Sequence, residues 1–106
     1  MTRYGMAIDL SRCCGCCGCM MACKLEHGTP PGMSWPRVLV KEHGEYPAVG
    51  KSITPVQCNH CKDAACVKVC PTGATSRRED GIVFVDYNQC VGCRYCMMAC
   101  PYFFRL

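Results

Sequence analysis

The cysteines constrain this chain more than any other feature, because 14 of its 106 residues are cysteine and twelve of them form three regularly spaced groups. The groups are Cys13-x2-Cys16-x2-Cys19-x3-Cys23, Cys58-x2-Cys61-x4-Cys66-x3-Cys70-Pro71 and Cys90-x2-Cys93-x2-Cys96-x3-Cys100-Pro101. Cys14 and Cys17 are additional cysteines within the first group. So high a cysteine content indicates a scaffold held by cross-links or metal. A domain of this length also buries too little surface to depend on a hydrophobic core alone.

The third group has the spacing C-x2-C-x2-C-x3-C-P, which is typical of bacterial iron-sulfur proteins. A 4Fe-4S cluster needs one thiolate at each of its four irons, and three closely spaced cysteines on one loop can reach three of them. The fourth cysteine, which we expect inside a short helix, ligates the other cluster of a pair. The spacing therefore predicts two clusters that exchange their fourth ligands. One cluster is held by Cys58, Cys61, Cys66 and Cys100. The other is held by Cys90, Cys93, Cys96 and Cys70.

Two other uses of cysteine fit the pattern less well. Structural zinc sites usually combine two C-x2-C pairs from segments separated by a dozen or more residues, whereas here four cysteines lie within 11 residues in the third group. Disulfide bonding is disfavoured because the first ten residues contain no apolar signal segment, so the expected compartment is reducing. Zinc is the second interpretation and disulfides the third.

The segments between the cysteine groups predict an α+β, ferredoxin-like fold with short helices and small hairpins around paired 4Fe-4S clusters. Residues 74–78 and 82–86 are the strands of a hairpin closed by Asp80-Gly81. Further predicted elements are helices at 64–70 and 95–100, a helical turn at 20–23, and strands at 4–10 and 37–42. Residues 26–55 are otherwise a connection. The whole chain, 1–106, is predicted to be one domain, with the first cysteine group and its connection in 1–57 and a two-cluster core in 58–106.

Charge and hydropathy exclude two classes of partner. Twelve Lys and Arg against eight Asp and Glu give a net charge of +4, but the basic residues are scattered, which does not predict nucleic-acid binding. No stretch approaches the roughly 18 apolar residues of a membrane-spanning helix, so none is expected. Without a signal segment, we expect the chain in the cytoplasm or at a membrane through its partners.

Four stretches resemble one known family: RYGMAID at 3–9, CNHCKDAACVKVCPTGA at 58–74, REDGIV at 78–83 and DYNQCVGCRYCMMACPY at 86–102. The chain resembles the iron-sulfur electron-transfer subunit of the dimethyl sulfoxide reductase superfamily, which includes polysulfide, tetrathionate, nitrate and formate molybdo-enzymes. The resemblance implies a non-catalytic subunit that relays electrons between a membrane quinone-reactive anchor and a molybdopterin catalytic subunit. It also implies that the chain can be exported with a signal-bearing partner.

The resemblance further implies four cysteine motifs, with the inner and the outer pair each sharing ligands. The present sequence ends at Leu106 before a fourth motif, so the outer pair is expected to be incomplete. A third cluster on Cys13, Cys16, Cys19 and Cys23 therefore stays open. Four alternatives follow for the missing fourth ligand. Cys23 closes the site locally, Cys14 or Cys17 serves as a substitute ligand, another chain supplies the ligand, or the site is empty.

Two other functions are left open by the sequence. One is a free soluble ferredoxin that shuttles electrons between enzymes, and the other is a zinc-stabilised interaction module. No catalytic residue is expected, because no nucleophile-base pair and no open metal site are recognisable. Lys62, Lys68 and Arg94 are expected to stabilise the anionic clusters, and His60 is expected to pack near a cluster without ligating it.

Overall fold

The computed structural model describes residues 2–105 and has short helices and two antiparallel hairpins. Its elements in chain order are α1 (Gly18–His27), β1 (Arg37–His43), β2 (Gly50–Val56), α2 (Ala65–Lys68), β3 (Thr75–Arg77), β4 (Val83–Val85) and α3 (Tyr95–Ala99). The predicted α+β class with short helices and small hairpins is thereby confirmed. The chain divides into two compact units, one containing residues 2–5 and 58–105 and the other residues 6–57.

The unit of residues 6–57 contains α1 and the longer hairpin. Helix α1 starts after Cys17 and stops at Gly28, both of which are left-handed, with φ of 59°. The loop that follows is held by Lys24, whose Nζ donates hydrogen bonds to the carbonyl oxygens of Pro30 (2.6 Å) and Met33 (2.8 Å). Strands β1 and β2 pair in register from Arg37↔Val56 to His43↔Gly50.

The unit of residues 58–105 contains α2, α3 and the short hairpin β3–β4. Thr75 pairs with Val85 and Arg77 with Val83. Gly81, with φ of +92°, closes the turn, and its N–H donates to the Arg78 carbonyl at 3.0 Å. Positive φ is accessible to glycine at little cost, which explains why an Asp-Gly pair predicted this turn correctly.

The hydrophobic core is small. In the described part of the chain four side chains are buried, all in the unit of residues 58–105: Ala64, Ala74, Thr75 and Val83. None is a large apolar side chain, although burial of such side chains supplies most of the stability of ordinary domains. The packing of this unit therefore needs an additional source of stabilisation.

Three sequence predictions of local structure need correction. The helical turn at 20–23 is part of a longer helix, α1, and the connection 26–55 contains a second strand, β2, that pairs with β1. The strand predicted at 4–10 was wrong. That segment has no strand partner within residues 2–105, and it ends in a turn in which the Asp9 carboxylate accepts the Ser11 N–H at 3.0 Å.

The fourth cysteines of the second and third groups lie just beyond the helices and not inside them as predicted. Helix α2 ends at Lys68, two residues before Cys70, and α3 ends at Ala99, so that Cys100 is its C-cap with φ −73° and ψ 116°. A proline disfavours the helical conformation in the residue before it, and Pro71 and Pro101 follow these two cysteines. No helix in residues 2–105 combines the length and apolarity required to span a bilayer.

Candidate metal centres

The three cysteine groups share a backbone feature as well as a spacing. The residue two positions after the first cysteine is left-handed in every group: Gly15 (φ 75°), His60 (φ 45°) and Gly92 (φ 74°). In the first and third groups a second left-handed residue precedes a helix: Cys17 precedes α1, which carries Cys19 and Cys23, and Arg94 precedes α3, which carries Cys96. The repeat in the sequence is thus also a repeat in the shape of the loops.

An open pocket in the unit of residues 58–105 is lined by four cysteines. They are Cys58, Cys61, Cys66 and Cys100. These are the four residues that the spacing assigned to one cluster, although their role as ligands stays a prediction. The rest of the lining consists of Asn59, Ala64, Val83, Tyr102, Phe104 and Arg105. Ala64 and Val83 belong to the small core, so the pocket adjoins the best-buried part of the unit.

The loop that begins at Cys58 is fastened to the β3–β4 hairpin at two points. Val83 donates its N–H to Nδ1 of His60 at 3.0 Å, and Arg77 Nη1 donates to the Lys62 carbonyl at 3.0 Å. Cys66 lies on α2, which packs against α3, and Cys100 ends α3. The hairpin and the helix pair therefore hold the four cysteine residues, which come from separate parts of the sequence, at one pocket.

Cys70, a predicted ligand of the second cluster, is prepared as a thiolate. The Thr75 N–H lies 3.4 Å from its Sγ, and the Thr72 hydroxyl lies 3.7 Å away. The hydrogen bond from Thr75, followed by that from Thr72, lowers the pKa of Cys70 to about 6. Above that pH the sulfur is deprotonated, and the thiolate is the form that ligates metal.

The remaining ligands of the second cluster are less enclosed. Cys96 and Cys70 are half-buried, whereas Cys90 and Cys93 are exposed. In residues 2–105, no three His, Cys, Asp or Glu side chains converge tightly enough to share a single metal ion. The ligands of a cube differ from such a group because each binds a different iron.

The cysteines of the first group are spread along one loop and one helix. Cys19 and Cys23 lie on α1, and Cys13 and Cys23 are half-buried while Cys16 and Cys19 are exposed. The Gly18 N–H and then the Cys14 side chain lower the pKa of Cys16. No contact described within residues 2–105 tests whether this group holds a cluster, so the third cluster stays a prediction.

Arg105 is the pocket residue that the sequence patterns missed. Its Nε and Nη2 atoms are buried and have no hydrogen-bond partner within residues 2–105. A cation that the sequence predicted near the clusters is placed differently. Lys68 pairs with Asp63 at 2.6 Å, and both side chains are mostly exposed. In the sequence Arg105 is an arginine five residues after the last cysteine, and the cysteine spacing does not predict a role for that position.

The pocket fits an anionic iron-sulfur cluster. Soft sulfur donors suit such clusters, and four cysteines line the pocket. Arg105, which is permanently positive, also lines it, and its Nε and Nη2 have no hydrogen-bond partner within residues 2–105. In an otherwise weakly packed unit, a bound cluster would neutralise this charge and cross-link the loops. Cys58, Cys61, Cys66 and Cys100 are the residues that would hold it.

Comparison with known proteins agrees with this chemistry. Residues 49–105 match the model of the 4Fe-4S dicluster domain. The chain is 50% identical to a subunit of the selenate reductase of Mesobacillus selenatarsenatis over 94% of its own length and 34% of that protein. It is 47% identical to the arsenate respiratory reductase iron-sulfur subunit ArrB of Shewanella sp. over 94% of its length and 43% of that protein.

A third relative is one of the chains of the anaerobic dimethyl sulfoxide reductase of Escherichia coli, which is 46% identical over 95% of this chain and 53% of the relative. The present chain thus spans between about a third and about half the length of these three proteins. The resemblance to iron-sulfur subunits of the dimethyl sulfoxide reductase type is confirmed. On the match over residues 49–105, this protein belongs to the 4Fe-4S dicluster domain family.

Proposed function

We propose that this chain transfers electrons through two 4Fe-4S clusters and performs no substrate chemistry itself. The first cluster has the ligands Cys58, Cys61, Cys66 and Cys100, and the second has Cys90, Cys93, Cys96 and Cys70. The observation that carries the proposal is the pocket lined by the first four of these cysteines. The family match over residues 49–105 supports it independently, because it covers all eight cysteines.

The exchange of fourth ligands is supported by the packing of the two short helices. Cys70 follows α2 and Cys100 ends α3, and these helices contact each other. Contact between the helices brings the cysteine that follows one helix toward the loop that precedes the other, as shared ligands require. Cys100 lines the pocket with Cys58, Cys61 and Cys66, as the exchanged arrangement requires.

The residues around the pocket bind the cluster and control its exposure. When bound, a 4Fe-4S cluster supplies one-electron exchange at a potential set by hydrogen bonds, charge and solvent access. Ala64 and Val83, both buried, and Phe104, which is half-buried, contribute apolar side chains to the lining of the pocket. The Thr75 N–H, aimed at Cys70, is a hydrogen bond of the type that tunes a ligating sulfur.

The names of the relatives support a place in a reductase complex. Each of the three is named as one component of a reductase, but the names give three different substrates: selenate, arsenate and dimethyl sulfoxide. We therefore propose that this chain passes electrons to a separate molybdopterin catalytic subunit, from a membrane quinone-reactive anchor. The location of this chain then follows that of its partners.

Metal analysis of the anaerobically purified chain tests the cofactor. About eight irons per chain, with an equal amount of acid-labile sulfide, are expected for two clusters, and about twelve for three. A matched pair of variants separates ligands from bystanders: Cys61→Ser should lose about half of the iron expected for two clusters, whereas Cys14→Ser should keep it. Stoichiometric zinc in place of iron would instead support the interaction-module alternative.

Co-purification tests the partner. Affinity purification from the native host under anaerobic conditions should recover a large molybdenum-containing chain in constant ratio to this one. Recovery of the iron-loaded protein alone, with exchange of electrons in solution, would support the free ferredoxin and contradict the complex.

A further inference from the structure

Arg105 lies in an unusual setting for a charged side chain. It lines the four-cysteine pocket, and its Nε and Nη2 are buried without a hydrogen-bond partner in residues 2–105. A buried charge is normally paired, because removing it from water without compensation is costly. The three described ion pairs of the chain engage other cations: Arg12, Lys68 and Arg78.

The backbone directs Arg105 back to the pocket. After Cys100 the chain turns, and the Phe103 N–H donates to the Cys100 carbonyl at 3.2 Å. Phe103 has φ of 56°, a left-handed conformation that a bulky residue rarely adopts. Beyond this turn Phe104 and Arg105 line the same pocket as Cys100. The turn at Phe103 thus places the positively charged residue Arg105 at the pocket that Cys100 also lines.

We propose that Arg105 donates hydrogen bonds to the sulfur atoms of the cluster in this pocket and raises the reduction potential of that cluster. The inference rests on the proposed function. An oxidised 4Fe-4S cluster with four thiolates is anionic, and reduction adds one more negative charge. A fixed positive charge beside it therefore stabilises the reduced form more than the oxidised form. The effect is weakly screened because the two donor nitrogens are buried.

The test is an anaerobic redox titration of the purified iron-loaded protein, with dithionite as the electron donor and cluster reduction followed by electron paramagnetic resonance. At the midpoint potential of the wild-type cluster, Arg105→Gln should raise the ratio of oxidised to reduced cluster about tenfold. For a one-electron couple this corresponds to a fall of about 59 mV. Arg105→Lys, which keeps the charge but loses the planar fork, should show a smaller fall.

Arg78→Gln is the matched control, since it removes the same charge from the same unit. The Arg78 side chain is 54% exposed and already paired with Asp80 at 2.9 Å. The potential of this variant should stay at the wild-type value. If Arg105→Gln does not load iron, Arg105→Lys takes its place in the titration.

The outcomes separate the inference from the proposed function. Clusters that load normally and keep the wild-type potential in both Arg105 variants would overturn the role of Arg105 and leave the electron-transfer proposal intact. Equal shifts in Arg78→Gln and Arg105→Gln would also overturn it, because the effect would then be one of net charge. A wild-type protein without iron would contradict the proposed function itself.

Discussion

At the residue scale, the same backbone bend is made by glycine in two cysteine groups and by histidine in the other. Gly15 and Gly92 adopt positive φ at little cost, whereas His60 adopts it despite its Cβ. The structure shows what compensates: Nδ1 of His60 accepts the N–H of Val83, which is 4% exposed. The sequence predicted His60 as a bystander near a cluster, and its role as a hydrogen-bond acceptor depends on a strand 23 residues away.

His60→Ala should destabilise the iron-loaded protein by about 1–2 kcal/mol, because the Val83 N–H loses its acceptor while the left-handed backbone remains. His60→Asn should recover most of the loss, since asparagine tolerates this conformation and carries an acceptor oxygen. Thermal unfolding and hydrogen exchange at Val83 measure both effects. Equal stability of the alanine and asparagine variants would contradict the assignment.

The candidate site was predictable from sequence to different degrees. Cys58, Cys61, Cys66 and Cys100 were grouped by spacing alone, because cluster chemistry fixes how closely ligands must follow one another. Arg105 was missed, because its importance comes from burial and from the turn at Phe103, which no spacing rule contains.

At the scale of elements, the sequence predicted the elements that are stabilised by residues close together in the chain. The β3–β4 hairpin has an Asp-Gly turn, and its Asp80 carboxylate accepts the Ile82 N–H at 3.1 Å, the main cause that lowers the pKa of Asp80. Strand β2 was missed because pairing with β1 stabilises it, and because Pro55, near its end, argues against a strand in isolation. Large apolar residues alternate with other residues in segment 4–10, as in a strand. No strand within residues 2–105 pairs with this segment.

Gly81→Ala should destabilise the hairpin by about 1–2 kcal/mol, because alanine is strained at φ of +92°. An added Cβ would also approach Arg77 Nη2 to 3.4 Å. Gly5→Ala is a matched control, because its Cβ would meet nothing within 4 Å and its φ is not positive. Thermal unfolding of the iron-loaded proteins compares them. A melting temperature for Gly81→Ala equal to that of Gly5→Ala would show that the turn tolerates a side chain.

At the scale of the whole molecule, the small core followed from composition, because 14 cysteines in 106 residues leave few ways to build a conventional core. The structure agrees, with four small or medium side chains buried in the described residues. The structure divides the chain between Gln57 and Cys58 and places residues 2–5 in the unit of residues 58–105. The sequence predicted one domain with parts 1–57 and 58–106, and this stays a prediction.

Removal of iron should therefore unfold the unit that contains residues 58–105. Metal binding free energy becomes folding free energy where a site does not exist without its metal, and the small core cannot replace it. Chelation of iron under anaerobic conditions should abolish cooperative thermal unfolding, and reconstitution with iron and sulfide should restore it. An iron-free protein that melts cooperatively at the original temperature would show that packing alone maintains this unit.

The most direct measurement is a crystal structure of the anaerobically purified chain with anomalous diffraction recorded at the iron absorption edge. We predict iron in the pocket, bonded to the sulfurs of Cys58, Cys61, Cys66 and Cys100, and a second cluster bonded to Cys70 and the loop from Cys90 to Cys96. Iron bonded to Cys100 together with Cys90, Cys93 and Cys96, or a pocket in which these four sulfurs bind no iron, would contradict the exchanged-ligand arrangement.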